Sequence, residues 1–264
     1  MIRKSTTPSY SIVATALPPR PALCGDKSAV HEAGRCGNCS IRHLTICGVF
    51  KPNELSHIER LMNAREMEAG QHLFEEGDSA DFVYNMTAGT IRLYKLLPDG
   101  RRQITGFALP GDFLGLAARK GYAYSAEAIG HVALCRFKRR DLSELFGQFP
   151  EMEHRLLGVA SDELVAAQDQ MLLLGRKTPI EKVCSFLLGL HRRIGRFDAH
   201  ATGVALEMTR SDIADFLGLT VETVSRTFSK LKKSGAIELP RADQVVIRNR
   251  MLLEQFAEDG EQSD

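Results

Sequence analysis

Three of the chain's six cysteines fall within the twelve-residue stretch CGNCSIRHLTIC, as Cys36, Cys39 and Cys47, spaced C-x2-C-x7-C. Two ligands on one tight turn and a third nearby form a clip, and soft thiolate sulfur suits zinc or an iron–sulfur cluster. From these three residues alone zinc fits nearly as well as iron and sulfide. Cys135, in HVALCRFKRRDLSEL, lies on an alternating strand face with Ile129, Ala133 and Phe137, where a buried small hydrophobe is the plainer reading. Cys184 shares the apolar side of a helix with Ile180 and Leu187 and reads as core. Cys24 lies in a proline-rich stretch and is left without a role, and His43, inside the loop, reads as a surface group rather than a ligand.

A second chemistry sits in MTRSDIADFLGLTVETVSRTFSKLKKSGAI, Met208 to Ile237. Thr209 with Asp212 three residues on makes a capping box for a short helix. Gly218 permits a sharp turn, and Thr220 caps a second helix. On that helix Val224, Phe228 and Leu231 recur at i, i+4, i+7 and face inward. Glu222, Ser225 and Arg226 occupy the opposite face, the set a recognition helix turns into a major groove. Arginine forks onto guanine, a glutamate accepts from cytosine N4, and a serine hydroxyl serves several base edges. Arg210, Lys230, Lys232 and Lys233 are placed to meet phosphates, and residues 209–250 carry eight Lys and Arg against five Asp and Glu.

These groups need a scaffold. A length of 264 residues, 44% hydrophobic and 25% charged, allows one large globular domain or two of ordinary size. Net charge of +1 argues neither for nor against nucleic acid. No apolar run reaches the roughly 18 residues that span a bilayer, so no membrane partner is expected. Residues 1–35 read as a disordered tail, with Pro8, Pro18, Pro19 and Pro21 unlike an export signal. A cytoplasmic location follows, where clustered thiols bind metal or do redox chemistry more often than they pair.

Residues 50–147 are short apolar stretches punctuated by glycine, which means an antiparallel barrel or roll. In TIRLYKL, Ile91, Leu93 and Lys95 alternate with Arg92, Tyr94 and Leu96, and a PDG turn returns the chain. Between 150 and 175 the sequence turns helical, and Leu157, Ala160, Leu164, Ala167, Met171 and Leu174 repeat at a and d of a heptad. That stripe suits either a seam with a second copy or the protein's own core. Residues 176–250 form a helical unit ending in a hairpin, AIELPRADQVVIRN, and 251–264 read as a second tail. No dinucleotide fingerprint, catalytic triad or paired-carboxylate site is apparent, so no enzyme activity is expected.

The helix-turn-helix stretch, and GLTVETVSR above all, resembles the CRP/FNR regulators, closely the FNR–FixK branch. GDSADFVYNMTAGTIRLYKLLPDGRRQITGFALPGDFLGL resembles that family's cyclic-nucleotide-type roll, and DELVAAQDQMLLLGRK its dimer helix; together the likeness covers roughly residues 36–250. The resemblance implies an α+β fold in four parts. These are a cluster loop and β-roll over 36–149, a dimerisation helix over 150–175, a winged helix-turn-helix over 176–250 and short tails. It implies a homodimeric transcription regulator that works with RNA polymerase, reading TTGAT, four bases, ATCAA through Glu222, Ser225 and Arg226. It settles the heptad stripe as a dimer seam.

Members that hold cyclic AMP have an acid and an Arg-Ser pair where this chain has Leu116 and Tyr124-Ser125, so no cyclic nucleotide is expected. Arg119 and Lys120 are the nearest substitutes. The resemblance further implies a 4Fe–4S cluster on Cys36, Cys39, Cys47 and Cys135, sensing dioxygen; the alternative is a FixK-type activator without a cluster. Where some relatives place an acid in the seam this chain has Ala167, which eases pairing.

Overall fold

The computed structural model describes residues 34–116, 121–197 and 203–258. The expected tail up to residue 33, with Cys24, lies outside the described residues, as do Arg119 and Lys120.

A short helix α1 (Gly34–Gly37), 3-10 turns at Arg42–Leu44, Ile46–Val49 and Pro52–Glu54, and helix α2 (Leu55–Leu61) lead into the roll. Its strands are β1 (Asn63–Met67), β2 (His72–Phe74), β3 (Phe82–Ala88), β4 (Ile91–Leu96), β5 (Arg102–Ala108), β6 (Phe113–Leu114), β7 (Ser125–Ala128) and β8 (Val132–Lys138). They form two antiparallel sheets, ordered β1-β8-β3-β6 and β2-β7-β4-β5. Met67, Met86, Ile91, Ala126 and Leu134 belong to one buried core. The turn from β3 to β4 requires Gly89: its φ is +78°, and a Cβ there would lie 2.3 Å from the His131 carbonyl oxygen.

The alternation expected of β4 holds: Ile91 and Leu93 face the core of the roll, and Tyr94 faces the core shared with the C-terminal unit. Ile91 and Tyr94 are both buried because both faces of β4 are covered, and the register irregularity belongs to β5, where Thr105 is the extra residue between the partners of Leu93 and Tyr94. A bulge adds one residue to one strand and turns the following side chains to the other face.

Helices α3 (Arg139–Phe146) and α4 (Pro150–Arg176) follow. With 27 residues, α4 is about 40 Å long. The C-terminal unit comprises α5 (Pro179–Ile194), β9 (Gly203–Ala205), α6 (Arg210–Leu217), α7 (Val221–Lys233), β10 (Ile237–Arg241), β11 (Gln244–Ile247) and α8 (Arg250–Glu258). The hairpin expected near the end is therefore a three-stranded sheet, β10-β11-β9. The segment from 251, expected as a tail, is helical up to Glu258. Leu253 and Ala257 lie one helical turn apart and are buried, and Lys177 Nζ donates to the Ala257 carbonyl at 2.9 Å, satisfying a helix end.

The roll and the C-terminal unit share a core. Ile104, Phe107 and Leu109 from the roll pack with Phe186, Leu187 and Ile213. A set of charges closes its edge. Asp212 Oδ1 accepts from Arg92 Nη1 at 3.1 Å and from Arg102 Nη2 at 2.8 Å, while Arg102 Nε donates to Asp215 Oδ2 at 3.0 Å. Gln103 Nε2 donates to the Asp215 carbonyl at 2.7 Å, and Arg193 pairs with Asp112.

Asp212 is 1% exposed. Burial pushes its carboxyl up, but hydrogen bonds from Thr209 and the charges of Arg92 and Arg102 outweigh this and hold it below the usual range. A depressed carboxyl contributes stability above its unfolded pKa of about 3.9 and loses it as pH falls through the folded value. Asp212→Asn is therefore expected to cost roughly 1–3 kcal/mol at pH 7, with the gap to wild type narrowing in melts below about pH 3. Equal melting temperatures at pH 7 would remove this clasp from the account.

Candidate metal centre and nucleic-acid interface

Cys36, Cys47 and Cys135 are buried and Cys39 half-buried, and all four line one cavity beneath the N-terminal loop. Cys36 comes from α1 and Cys135 from β8, where it pairs with Asn85 of β3. Thr45 shapes the loop: its Oγ1 accepts from the Cys47 amide at 3.2 Å and donates to the Arg42 carbonyl at 3.0 Å. Asn85 Nδ2 contacts Cys47 Sγ at 3.5 Å.

Among the described residues, no three His, Cys, Asp or Glu side chains converge as a single ion requires. The four cysteines share the lining of one pocket with residues that include Met62, Asn85, Thr87 and Phe137, and a group that takes one thiolate per iron would draw on all four. The free volume at the pocket's centre is about 20 Å³, close to what one water fills. His43 contributes its backbone carbonyl to the loop's contacts with α4. Cys184 is core, as expected, and burial pushes its thiol up to about 12.

Helix α4 packs on the loop that carries Cys47. Arg155 Nε donates to the Thr45 carbonyl and Arg155 Nη2 to the His43 carbonyl, both at 2.7 Å. Leu156 and Val159 pack on the core that contains Cys36, Cys47 and Cys135. The other side of the helix is open: Leu157, Leu164 and Met171 are 67%, 61% and 65% exposed. Ala160 is half-buried and Ala167 exposed. Leu174 departs from the stripe and packs against the C-terminal core.

In the C-terminal unit the capping box at Thr209 and Asp212, the left-handed Gly218 (φ 61°) and the Thr220 cap all form. Val224, Phe228 and Leu231 are buried, leaving Glu222, Ser225 and Arg226 exposed on the outer face of α7. A shallow groove along that face is lined by Ser225, Arg226, Ser229, Lys230 and Lys233. Ser229 was not singled out in the sequence, although its place one turn after Ser225 would have marked it. Hydrogen bonds from its own amide and from Thr220, with the charge of Arg226, hold the Glu222 carboxyl low, so it stays an ionised acceptor.

Arg210 does not simply reach for solvent. Its guanidinium stacks 3.6 Å over the Phe228 ring, and Nη2 donates to the Ala242 carbonyl at 3.3 Å, tying the β10–β11 turn to the recognition helix. Burial lowers its pKa.

Residues 181–256 match the Crp-like helix-turn-helix domain and residues 64–149 the cyclic nucleotide-binding domain. The chain is 49% identical over 207 residues to the transcriptional activatory protein AadR of Rhodopseudomonas palustris, covering 78% of this chain and 87% of AadR. It is 38% identical to the transcriptional activator protein FnrL of Cereibacter sphaeroides, over 86% of this chain and 94% of FnrL. The chain belongs to the CRP/FNR family of transcription regulators. Its fold matches that of FixK2 from Bradyrhizobium japonicum with a TM-score of 0.69 and 41% identity, over 74% of this chain and 96% of that one.

As a CRP/FNR regulator the protein binds DNA and is no enzyme. Among the described residues no helix is long and apolar enough to cross a membrane. At the positions that matter for a nucleotide, Leu116 packs against the cysteine-side core. The Tyr124 hydroxyl accepts from the Gly115 amide at 3.3 Å, and burial pushes it up to about 12. Two substitutions separate base reading from backbone contact in a salt-dependent binding assay. Arg226→Ala is expected to cost about 1–3 kcal/mol and relax specificity, while Lys230→Ala weakens all sequences alike and lowers the salt slope by about 1.

Proposed function

We propose that this regulator senses dioxygen through a 4Fe–4S cluster held by Cys36, Cys39, Cys47 and Cys135, and controls anaerobic or microaerobic genes from the cytoplasm. The observation that carries this reading is the single cavity lined by these four cysteines, three from the N-terminal loop and one from β8. When bound, the cluster supplies an oxidisable centre whose loss releases its cysteine ligands.

Arg155 holds the loop's carbonyls at His43 and Thr45, so the loop's shape is felt on α4. Leu156, beside Arg155, and Val159, one turn along, extend the same contact, and Leu157 and Leu164 on the opposite side are left for the partner helix. An ordered loop thus fixes the helix that pairs in the homodimer. Pairing places two copies of Glu222, Ser225 and Arg226 on a palindrome resembling TTGAT, four bases, ATCAA. RNA polymerase is the further partner. The roll takes no cyclic nucleotide, since Leu116 offers no acceptor to a ribose and Tyr124 no cation to a phosphate.

A second reading, a FixK-type activator without a cluster, is favoured by the small volume between the cysteines. Anaerobic purification with visible spectra and iron and sulfide assays separates the two. A brown protein with about four iron per chain that bleaches in air supports the sensor. A colourless protein that binds its operator equally well in air overturns it in favour of the second reading. In the sensor, Arg155→Ala is expected to leave iron content unchanged and weaken operator binding about tenfold, measured anaerobically; unchanged binding would free Arg155 of this role.

A further inference from the structure

The cysteine cavity contains polar groups that the surrounding protein does not satisfy. Asn85 is 2% exposed and Thr87 6% exposed, and both line the cavity. Asn85 Oδ1 and Thr87 Oγ1 are buried without a hydrogen-bond partner. An unpaired hydroxyl or amide in an interior is destabilising, and the neighbours on this strand are apolar: Val83, Tyr84 and Met86 are all core. The Thr87 hydroxyl is thus an uncompensated donor next to four cysteines and implies an acceptor in the cavity for it to bond, whereas Asn85 Oδ1 can only accept and it is the amide nitrogen of Asn85 that faces sulfur.

The direction of the one contact already made is informative. Asn85 presents its amide nitrogen, a donor, to Cys47 Sγ at 3.5 Å. A thiolate can only accept, so this is the polarity that suits a deprotonated sulfur. The Thr87 hydroxyl can rotate to donate as well.

We propose that Asn85 and Thr87 donate hydrogen bonds to the sulfurs of the metal–sulfur group in this cavity and slow its oxidation; this rests on the cluster reading above. Donors aimed at sulfur stabilise the electron-rich state and raise the reduction potential. Giving up an electron to dioxygen, the oxidant, becomes less favourable. The Thr87 hydroxyl is a burden when no metal is bound, because it is then buried with nothing to bond.

This predicts opposite effects in the two states. Thr87→Val removes the hydroxyl at constant shape, Thr87→Ser keeps it, and Asn85→Leu removes the amide. Each protein is loaded anaerobically, mixed with air-saturated buffer, and followed by the decay of its visible absorption; the iron-free forms are melted. Thr87→Val is expected to bleach about threefold faster or more, with Thr87→Ser near wild type and iron-free Thr87→Val melting at or above wild type. Asn85→Leu bleaches faster too, and decides the matter if Thr87→Val does not load. Faster bleaching with a lower iron-free melting temperature would assign the effect to packing and overturn the inference. Variants that load and bleach at the wild-type rate overturn it while the cluster reading stands. A wild type that takes no colour overturns both.

Discussion

Helix α4 must satisfy three surfaces with one stretch of sequence, and the rest of the molecule is arranged around that constraint. Near its N-terminus Met152 is fully buried, and Arg155, Leu156 and Val159 face the cysteine loop. Toward its C-terminus Leu173 is buried in the core of the DNA-binding unit, and Gln170 Nε2 donates to the Phe216 carbonyl at 2.9 Å, capping α6. Between and opposite these contacts lies the open apolar stripe. A helix turns about 100° per residue, so residues one apart can serve different masters. Leu156 and Leu157 do so, the first inward and the second outward. A change at one surface cannot rotate or shift the helix without disturbing the other two.

The cysteine site and the reading head are built on different principles. The head is rigid: capping boxes, a left-handed glycine, the stacked Arg210 and the buried Asp212 leave its recognition face a fixed surface. The cysteine site is closed by a loop of short 3-10 turns, whose shape depends on Thr45 and on two arginine hydrogen bonds from outside the loop. Rigidity suits base reading, where donors and acceptors must be placed in advance.

Much of this was legible in the sequence because it is local. The capping box at Thr209, the turn at Gly218, the inward stripe from Val224 to Leu231 and the burial of Cys184 all follow from spacing within a few residues. The long helix was legible too, but Leu174 was assigned to the seam because a heptad does not reveal where a second core begins. The bulge at Thr105 was hidden, since a bulge is decided by the partner strand. Helix α8 was missed because its apolar face is short and acidic residues follow it. At the cysteines, spacing offered the clip, and only the resemblance offered Cys135 as a fourth ligand. Asn85 and Thr87 were invisible, as polar residues within a strand look like an outer face until burial shows otherwise. The tether that Arg210 makes to the wing was also out of reach, because it joins residues far apart in the chain.

The shared core between the roll and the DNA-binding unit bears on how such regulators diversify. Phe107 and Ile104 of the roll form part of the wall behind α6, and Arg92 and Arg102 neutralise an aspartate that belongs to the head. The two halves are thus not interchangeable cassettes. Grafting this head onto a foreign sensor would leave Asp212 buried without its cations and expose the apolar back of α6 and α5. A cut at the end of the long helix would part the hairpin of β4 and β5 from the head whose back it covers, whereas a cut through the roll would keep the two together.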